Sequence, residues 1–443
     1  MANVTVLGAG GATVTITLSS DQNAAAAQSA INFVNKLTAN GIVDQRTWAG
    51  SGTLPAPANL LSGVIVSTAG DVGGTAVQDI SIAVNAPGNS TVIGSQNANV
   101  TVVSGDGSNF TYGNQSQGGK VFFGDSNSTL VNFAGNTDLT VGKGNYVLIT
   151  DQGAITRVQP VADALILTSD FGGKSGKNII DVSGKATVFA SGNSLSAATI
   201  NAAAGELFLV NQALGSAFVQ VGNANVTVVG NATNLGGRAT VLGGVGKLTV
   251  ASGQGEFTGG KAGGNLMFTS TVAGSATLIG GGSGDQLFAM GSGNLLIAGA
   301  GNETLSARNP GAGDNRFVVG NGFTTVFGAG QGGNTYFFSG LGSGLIEGRD
   351  EAAAGPATQN TYQDLNSPGG IHLVGDFLTG VDQLLIPTGT TAVVSFFTAG
   401  QSGSPFGSAA GTEVKVSTGT TYQFFDTSAD GKQDIFSSDI KVV

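Results

Sequence analysis

Residues 91–133 read TVIGSQNANVTVVSGDGSNFTYGNQSQGGKVFFGDSNSTLVNF. Val92, Val102, Tyr112, Phe122 and Val131 recur nine or ten residues apart, each within a short phrase rich in β-branched or aromatic residues. Gly, Asn and Ser part the phrases. Such phrases favour strands, and this spacing leaves no room for the helix of a βαβ crossover. Evenly spaced short strands specify a sandwich, a barrel or a parallel solenoid. The punctuation favours the solenoid: single Gly or Asn residues bend a chain at coil corners, whereas hairpins require regular two-residue turns. Asn suits a corner because it tolerates left-handed backbone, and suits a stack because amides hydrogen-bond from coil to coil. Val, Ile, Leu and Phe are expected inside, packed on their copies in neighbouring coils.

The phrase NANVTVV at 97–103 returns at 223–229, with an echo, ANVTVL, at 2–7. Similar phrases run from about 61 to 350, among them DISIAV from 79, ELFLV from 206, KLTVASG from 247 and ATLIGGG from 276. The expected fold is therefore all-β. A parallel β-solenoid occupies 61–350, an N-terminal strand and capping helix 1–60, and a β-rich closing domain 351–443. The echo at 2–7 is a strand placed at an end. It either finishes its own solenoid or pairs with the C-terminal end of the next subunit, a head-to-tail contact that builds a filament.

One segment reads as helix, SSDQNAAAAQSAINFVNKLTANG at 19–41. Ser19 or Ser20 can cap it, with Gln22 placed for a capping box; Ala27, Ala30, Ile31, Val34 and Leu37 share one face, and Gly41 ends it. That face needs a neighbour, and the open end of the solenoid offers one.

Composition narrows the function. Among 443 residues there are 75 Gly but only 9 Pro, and 10% are charged, so the chain is not a flexible charged coil. A net charge of −10 and a pI near 4.5 leave too few cations to displace counterions from nucleic acid. Without cysteine there is neither a disulfide framework nor a thiolate metal site. The first twenty residues lack the basic and apolar regions of a secretory signal peptide, and no apolar run is long enough to span a membrane.

The stretch 280–348, GGGSGDQLFAMGSGNLLIAGAGNETLSARNPGAGDNRFVVGNGFTTVFGAGQGGNTYFFSGLGSGLIEG, resembles the calcium-binding nonapeptide (RTX, hemolysin-type) repeats of proteins exported by type I secretion. Alignment on the glycines places Phe288, Ile297, Leu305, Phe317, Val326, Phe337 and Ile346 at the buried apolar position. It places Gln286, Leu295, Glu303, Asn315, Thr324 and Thr335 where the family has its calcium-ligating Asp, with Asp285 and Asp314 one residue early. Calcium takes about six to eight oxygen ligands, so most of these turns are expected to have exchanged calcium for hydrogen-bonded corners. GDFLTGVDQLLI at 375–386 resembles the strand that closes such rolls, through Asp376, Phe377, Gly380, Asp382, Leu384 and Ile386. The final SSDIKVV resembles the family's uncleaved C-terminal export signal. The resemblance implies an extracellular or cell-surface protein.

The strongest local metal pattern is DTSADGKQD at 426–434, where Asp426, Ser428, Asp430, the Lys432 carbonyl and Asp434 present oxygens on one side of a tight turn. Ser437 stands where an EF-hand would have its bidentate Glu, so a calcium site and an ordinary acidic turn both remain open. The single histidine, His372, lies between Ile371 and Leu373 and reads as a satisfied structural residue. No catalytic motif is present. The enzyme alternative is a polysaccharide lyase or glycosidase with carboxylates aligned along a coil stack, drawn from Asp125, Asp138, Asp151, Asp163, Asp170, Asp181, Glu206 and Glu256. A monomeric adhesin is the second alternative, and an ice-binding surface lacks the regular Thr-x-Thr register it would need. The leading expectation is a secreted, non-enzymatic structural protein that assembles with its own copies into a filament, surface layer or biofilm matrix. Cell-surface or matrix polysaccharide is the further partner.

Overall fold

The computed structural model describes residues 1–443 except 51, 73–74, 77, 95–99, 116–117, 152, 162, 171–175, 191–196, 212–215, 231–237, 272–273, 275, 309–312, 329–332, 349–357, 398–409 and 426–436. The chain divides into two units, Met1–Asn225 and Val226–Val443. Each is a parallel β-solenoid with two strands per coil, one in each of two sheets.

In the first unit one sheet starts at Val43–Trp48 and continues through Leu61–Val66, Asp79–Val84, Val100–Ser104, Gly118–Phe123 and Asn136–Thr140. The other runs through Gly70–Val72, Gly88–Ile93, Ser108–Asn114, Ser126–Asn132 and Gly144–Thr150. Val102 pairs with Val121 and Val121 with Leu139, so a coil takes 19 and then 18 residues. Two strands per coil explain the spacing of nine or ten.

The inward rungs of the opening stretch are Val92, Val102, Tyr112, Val121 and Leu130, all buried. Phe122 and Val131 face the other way, because strand alternation puts Val121, Phe123 and Leu130 inside. Phe122 is buried all the same, beneath the helix.

That helix spans Asp21–Ala39. Ser20 caps it by accepting the N–H of Asn23 (3.2 Å), which leaves Gln22 outside the cap. Its buried residues Ala24, Ala27, Ile31 and Val34 do not close the end of the stack. They lie along the outer face of the first sheet, against Ile65, Ala83, Val103 and Phe122. The row of apolar residues on that face, otherwise exposed, is what draws the helix there.

Ala2–Leu7 is not a coil strand. It forms an antiparallel hairpin with Thr13–Leu18, and Val4, Val6, Ile16 and Leu18 join the core under the helix. Its outer edge is occupied by the helix. Gln28 Oε1 accepts the N–H of Thr5 (2.6 Å) and Asn35 Oδ1 that of Leu7 (2.8 Å), while both side-chain amides donate to the Thr5 carbonyl.

The solenoid begins at Val43, inside the segment read as preceding it, and its first coil closes on a buried ion pair. Arg46 donates to both carboxylate oxygens of Asp79 and to the Pro55 carbonyl; Ser62 and the N–H of Ala76 complete the carboxylate's partners. Trp48 lies over Gly70, where a Cβ would come within 2.7 Å of the indole.

In the second unit one sheet includes Leu295–Ile297, Arg316–Val319, Thr335–Phe338, Thr361–Asp364 and Gln383–Ile386. The other includes Leu266–Thr269, Gln286–Phe288, Glu303–Ser306, Phe323–Phe327, Ser343–Glu347 and Ile371–Val374. Inside, Phe317, Tyr336 and Tyr362 stack with centroids 5.2 and 5.0 Å apart. Residues beyond 351 continue both sheets: Thr421–Phe425 lies parallel on Ile371–Val374, and Ile440–Val442 on Gln383–Ile386. Among the described residues of this unit, only Gly411–Val416 and Ala392–Phe397 break the pattern, adding as an antiparallel meander to Thr421–Phe425.

Candidate functional site

The stretch with the repeat resemblance buries Leu305, Phe317, Val326 and Ile346 at the expected position. At three turns the register is one residue off: Leu287, Leu296 and Tyr336 are inside, while Phe288, Ile297 and Phe337 face outward. A shift of one flips every side chain of a strand. Asp285, Asn294 and Asn334, rather than Gln286, Leu295 and Thr335, therefore join Glu303, Asn315 and Thr324 as buried turn residues.

These residues form two polar ladders. On one sheet Asn315 Oδ1 accepts the N–H of Asn294 (2.8 Å), Asn334 that of Asn315 (3.1 Å), Asn360 that of Asn334 (3.0 Å), and Asp382 that of Asn360 (2.7 Å). Each side chain supplies the acceptor that the coil beside it lacks at its corner. The other ladder carries Asn265, Asp285, Glu303 and Thr324. Asp285 Oδ1 accepts from the backbone and side-chain amides of Asn265 (2.8 Å each), and Oδ2 from the N–H groups of Gly281 (2.7 Å) and Gly282 (3.1 Å).

Glu303 is the exception. Its Oε2 accepts the N–H of Gly299 (2.8 Å), but Oε1 is buried without a hydrogen-bond partner among the described residues. Gly280 and Gly299 make its room, since a Cβ on either would approach the carboxylate within 2.7 Å. Burial, with the nearby charge of Asp285 adding to it, outweighs the Gly299 hydrogen bond and raises the Glu303 carboxyl to about 7.

The chemistry of this pair does not fit calcium. Both oxygens of Asp285 are taken by N–H donors, which present the wrong sign to a cation, and among the described residues no three Asp, Glu or His side chains converge. Asp426, Ser428, Asp430, Lys432 and Asp434 lie outside the described residues. The segment 375–386 does not close the stack, since Ile440–Val442 pairs on beyond Gln383–Ile386; its Asp376 and Asp382 accept the N–H groups of Gly348 (2.7 Å), Asn360 (2.7 Å) and Leu378 (2.9 Å), and Phe377, Leu384 and Ile386 are buried.

His372 is buried, as the flanking residues suggest, but it is not satisfied: neither ring nitrogen has a hydrogen-bond partner among the described residues. It stacks on Tyr422 (centroids 5.4 Å apart) and lies tilted by 43° against Phe338 (4.3 Å). Burial lowers its pKa to about 3.

Of the scattered carboxylates, Asp125 and Asp138 line a groove of about 950 Å3 beside the N-terminal half of the helix. Asp125 Oδ1 accepts the N–H of Lys143 (2.8 Å), and Asp181 accepts from Asn201 (2.7 Å). Sequence reasoning missed the Arg46–Asp79 pair; it expected Asn side chains to bond from coil to coil but did not place Asn294, Asn334 and Asn360 in the ladder. The recurrence of Asn two residues before each buried apolar position, in NLLI, NRFV, NTYF and NTYQ, was the signal for the ladder. Among the described residues no helix is long and apolar enough to cross a membrane. Comparison of the chain with protein-family models, curated proteins and solved structures gave no match to any of them.

Proposed function

We propose that this is a non-enzymatic structural protein that acts outside the cell and pairs through its C-terminal antiparallel edge into dimers, the units from which a surface layer or matrix is built. The observation that carries this reading is the strand Ala392–Phe397, AVVSFF. It pairs with Gly411–Val416 alone among the described residues, and Val393 and Phe396 are 66% and 42% exposed. An uncharged apolar edge strand without Pro is a template for another strand. The Ala2–Leu7 strand offers no such edge, since Gln28 and Asn35 occupy it. Pairing of 392–397 with its own copy is self-complementary and antiparallel, so the basic unit of assembly is a dimer rather than a head-to-tail filament.

The non-catalytic part of the reading is supported by the burial of the lone His372 and by carboxylates already bonded to backbone amides. Export by a C-terminal route rests on the resemblance of 280–348, 375–386 and 437–443 to exported repeat proteins. Calcium at Asp426–Asp434 belongs to the same proposal.

The test is the association state of the full chain by sedimentation velocity and negative-stain microscopy, for the native sequence and for Val393→Lys with Phe396→Lys. Concentration-dependent association that the double variant abolishes is the expected result. A native chain that stays monomeric, or a double variant that assembles as well, defeats the reading.

A further inference from the structure

We propose that the second unit carries, on its outer face between Phe288 and Phe327, a slot for one sugar ring of a glycan. Phe268, Phe288, Ser306, Phe327 and Glu347 are register partners on five successive strands. Adjacent strands lie about 4.8 Å apart, and the first two rings take up that repeat, stacking with centroids 4.6 Å apart and planes 10° from parallel. On the next strand the row has Ser306 in place of a ring, and on the strand after that it resumes with Phe327. The interruption opens a pocket of about 380 Å3.

The pocket's chemistry selects its occupant. Phe288 forms one wall. The other is Phe327, with the Arg308 guanidinium 3.9 Å over its ring and held by Glu347. Thr304 and Ser306 line the space between, with Met290 beside them. Walls two strands apart, about 9.6 Å, admit one ring between them. A wholly apolar ring would take water from the Thr304 hydroxyl and the guanidinium N–H groups and give nothing back. A pyranose presents a C–H face to Phe288 and hydroxyls to Thr304 and to the Arg308 guanidinium that covers Phe327. Phe288 and Phe327 are half-exposed, so a ring within a longer chain can reach the slot. The proposal stands apart from self-association, which was placed at 392–397.

The experiment measures binding of the full chain to soluble xylan, mixed-linkage β-glucan and polygalacturonate by affinity electrophoresis, and to their hexasaccharides by calorimetry. Ser306→Phe completes the ring row and fills the slot; Phe288→Ala removes a wall. Binding of at least one of these glycans, weakened about tenfold or more by each substitution with the melting transition retained, is the expected result. The proposal is overturned if the native chain binds none of the three, or if Ser306→Phe binds as tightly as the native chain. It is also overturned if p-cresol binds the slot while the glycans do not, or if Ser306→Phe changes only the association state; the latter would make the surface an interface between copies.

Discussion

Gly344 and His372 are register partners on adjacent strands, and a Cβ at Gly344 would lie 3.6 Å from Nδ1 of His372. That is ordinary contact distance; what a Cβ at Gly344 would crowd is the Thr324 carbonyl on the preceding strand, at 2.9 Å. His372 sits beside Gly344 as a neutral aromatic ring, stacked on Tyr422 and tilted against Phe338, with no hydrogen-bond partner among the described residues.

An acid-sensitive core follows. The folded-state pKa of about 3 lies below the unfolded value near 6.5, so the unfolded chain binds the extra proton between them. Stability is full above about pH 6.5 and is lost as pH falls toward 3, by about 2–3 kcal/mol at pH 4.5. Urea unfolding of the native chain at pH 7 and pH 4.5 should show this loss, and His372→Phe should remove most of it.

Glu303 acts in the opposite sense. Its carboxyl is raised to about 7, so the folded chain holds a proton that the unfolded chain has released. Its contribution is present below about pH 4.5 and disappears as pH rises through 7. Glu303→Gln should raise the melting temperature at pH 8 and change it little at pH 4.5, as scanning calorimetry can measure.

The Asn ladder should be costly to interrupt. Asn315→Ala leaves the buried N–H of Asn294 without its acceptor, and a buried unpaired amide costs about 1–3 kcal/mol. Denaturant unfolding should report that loss, and hydrogen exchange should show faster exchange at Asn294.

The buried ion pair at the start of the first unit should be less tolerant still. Asp79→Asn strips Arg46 of its counter-charge inside the fold, a change that costs about 3–5 kcal/mol. Limited proteolysis should then open residues 43–84 first.

Masking of the Ala2–Leu7 edge can be tested directly. Gln28→Ala with Asn35→Ala removes the groups that bond Thr5 and Leu7. Light scattering should show association beyond that of the native chain, and Val4→Lys would not be a useful control because Val4 is core.

The sequence carried the architecture because strand spacing and alternation are local properties. Nine or ten residues per strand gave two strands per coil, and Gly and Asn marked the corners. The same pattern left the facing of individual residues ambiguous wherever two apolar residues adjoin. Val121, Phe122 and Phe123 are all apolar, and only packing shows that the middle one faces out; in the second unit, LF, LI and YF at 287–288, 296–297 and 336–337 pose the same choice. For the candidate site, the kind of turn residue was legible and its identity only in part. Glu303, Asn315 and Thr324 were found on sequence spacing, whereas Asp285, Asn294 and Asn334 required the true register.

The three copies of the opening phrase draw the same line. Alternating Val and Thr made each of 2–7, 100–104 and 225–229 a strand. Tertiary structure decided the rest. The copy at Val100–Ser104 is a coil strand whose outward Val103 is buried under the helix, and the copy at Asn225–Val229 is a coil strand with Val229 half-exposed. The copy near Met1 is antiparallel, with its free edge held by Gln28 and Asn35. A period of two fixes that a strand has two faces. Which face is covered, and by what, depends on contacts with residues distant in the chain, and no local pattern encodes those.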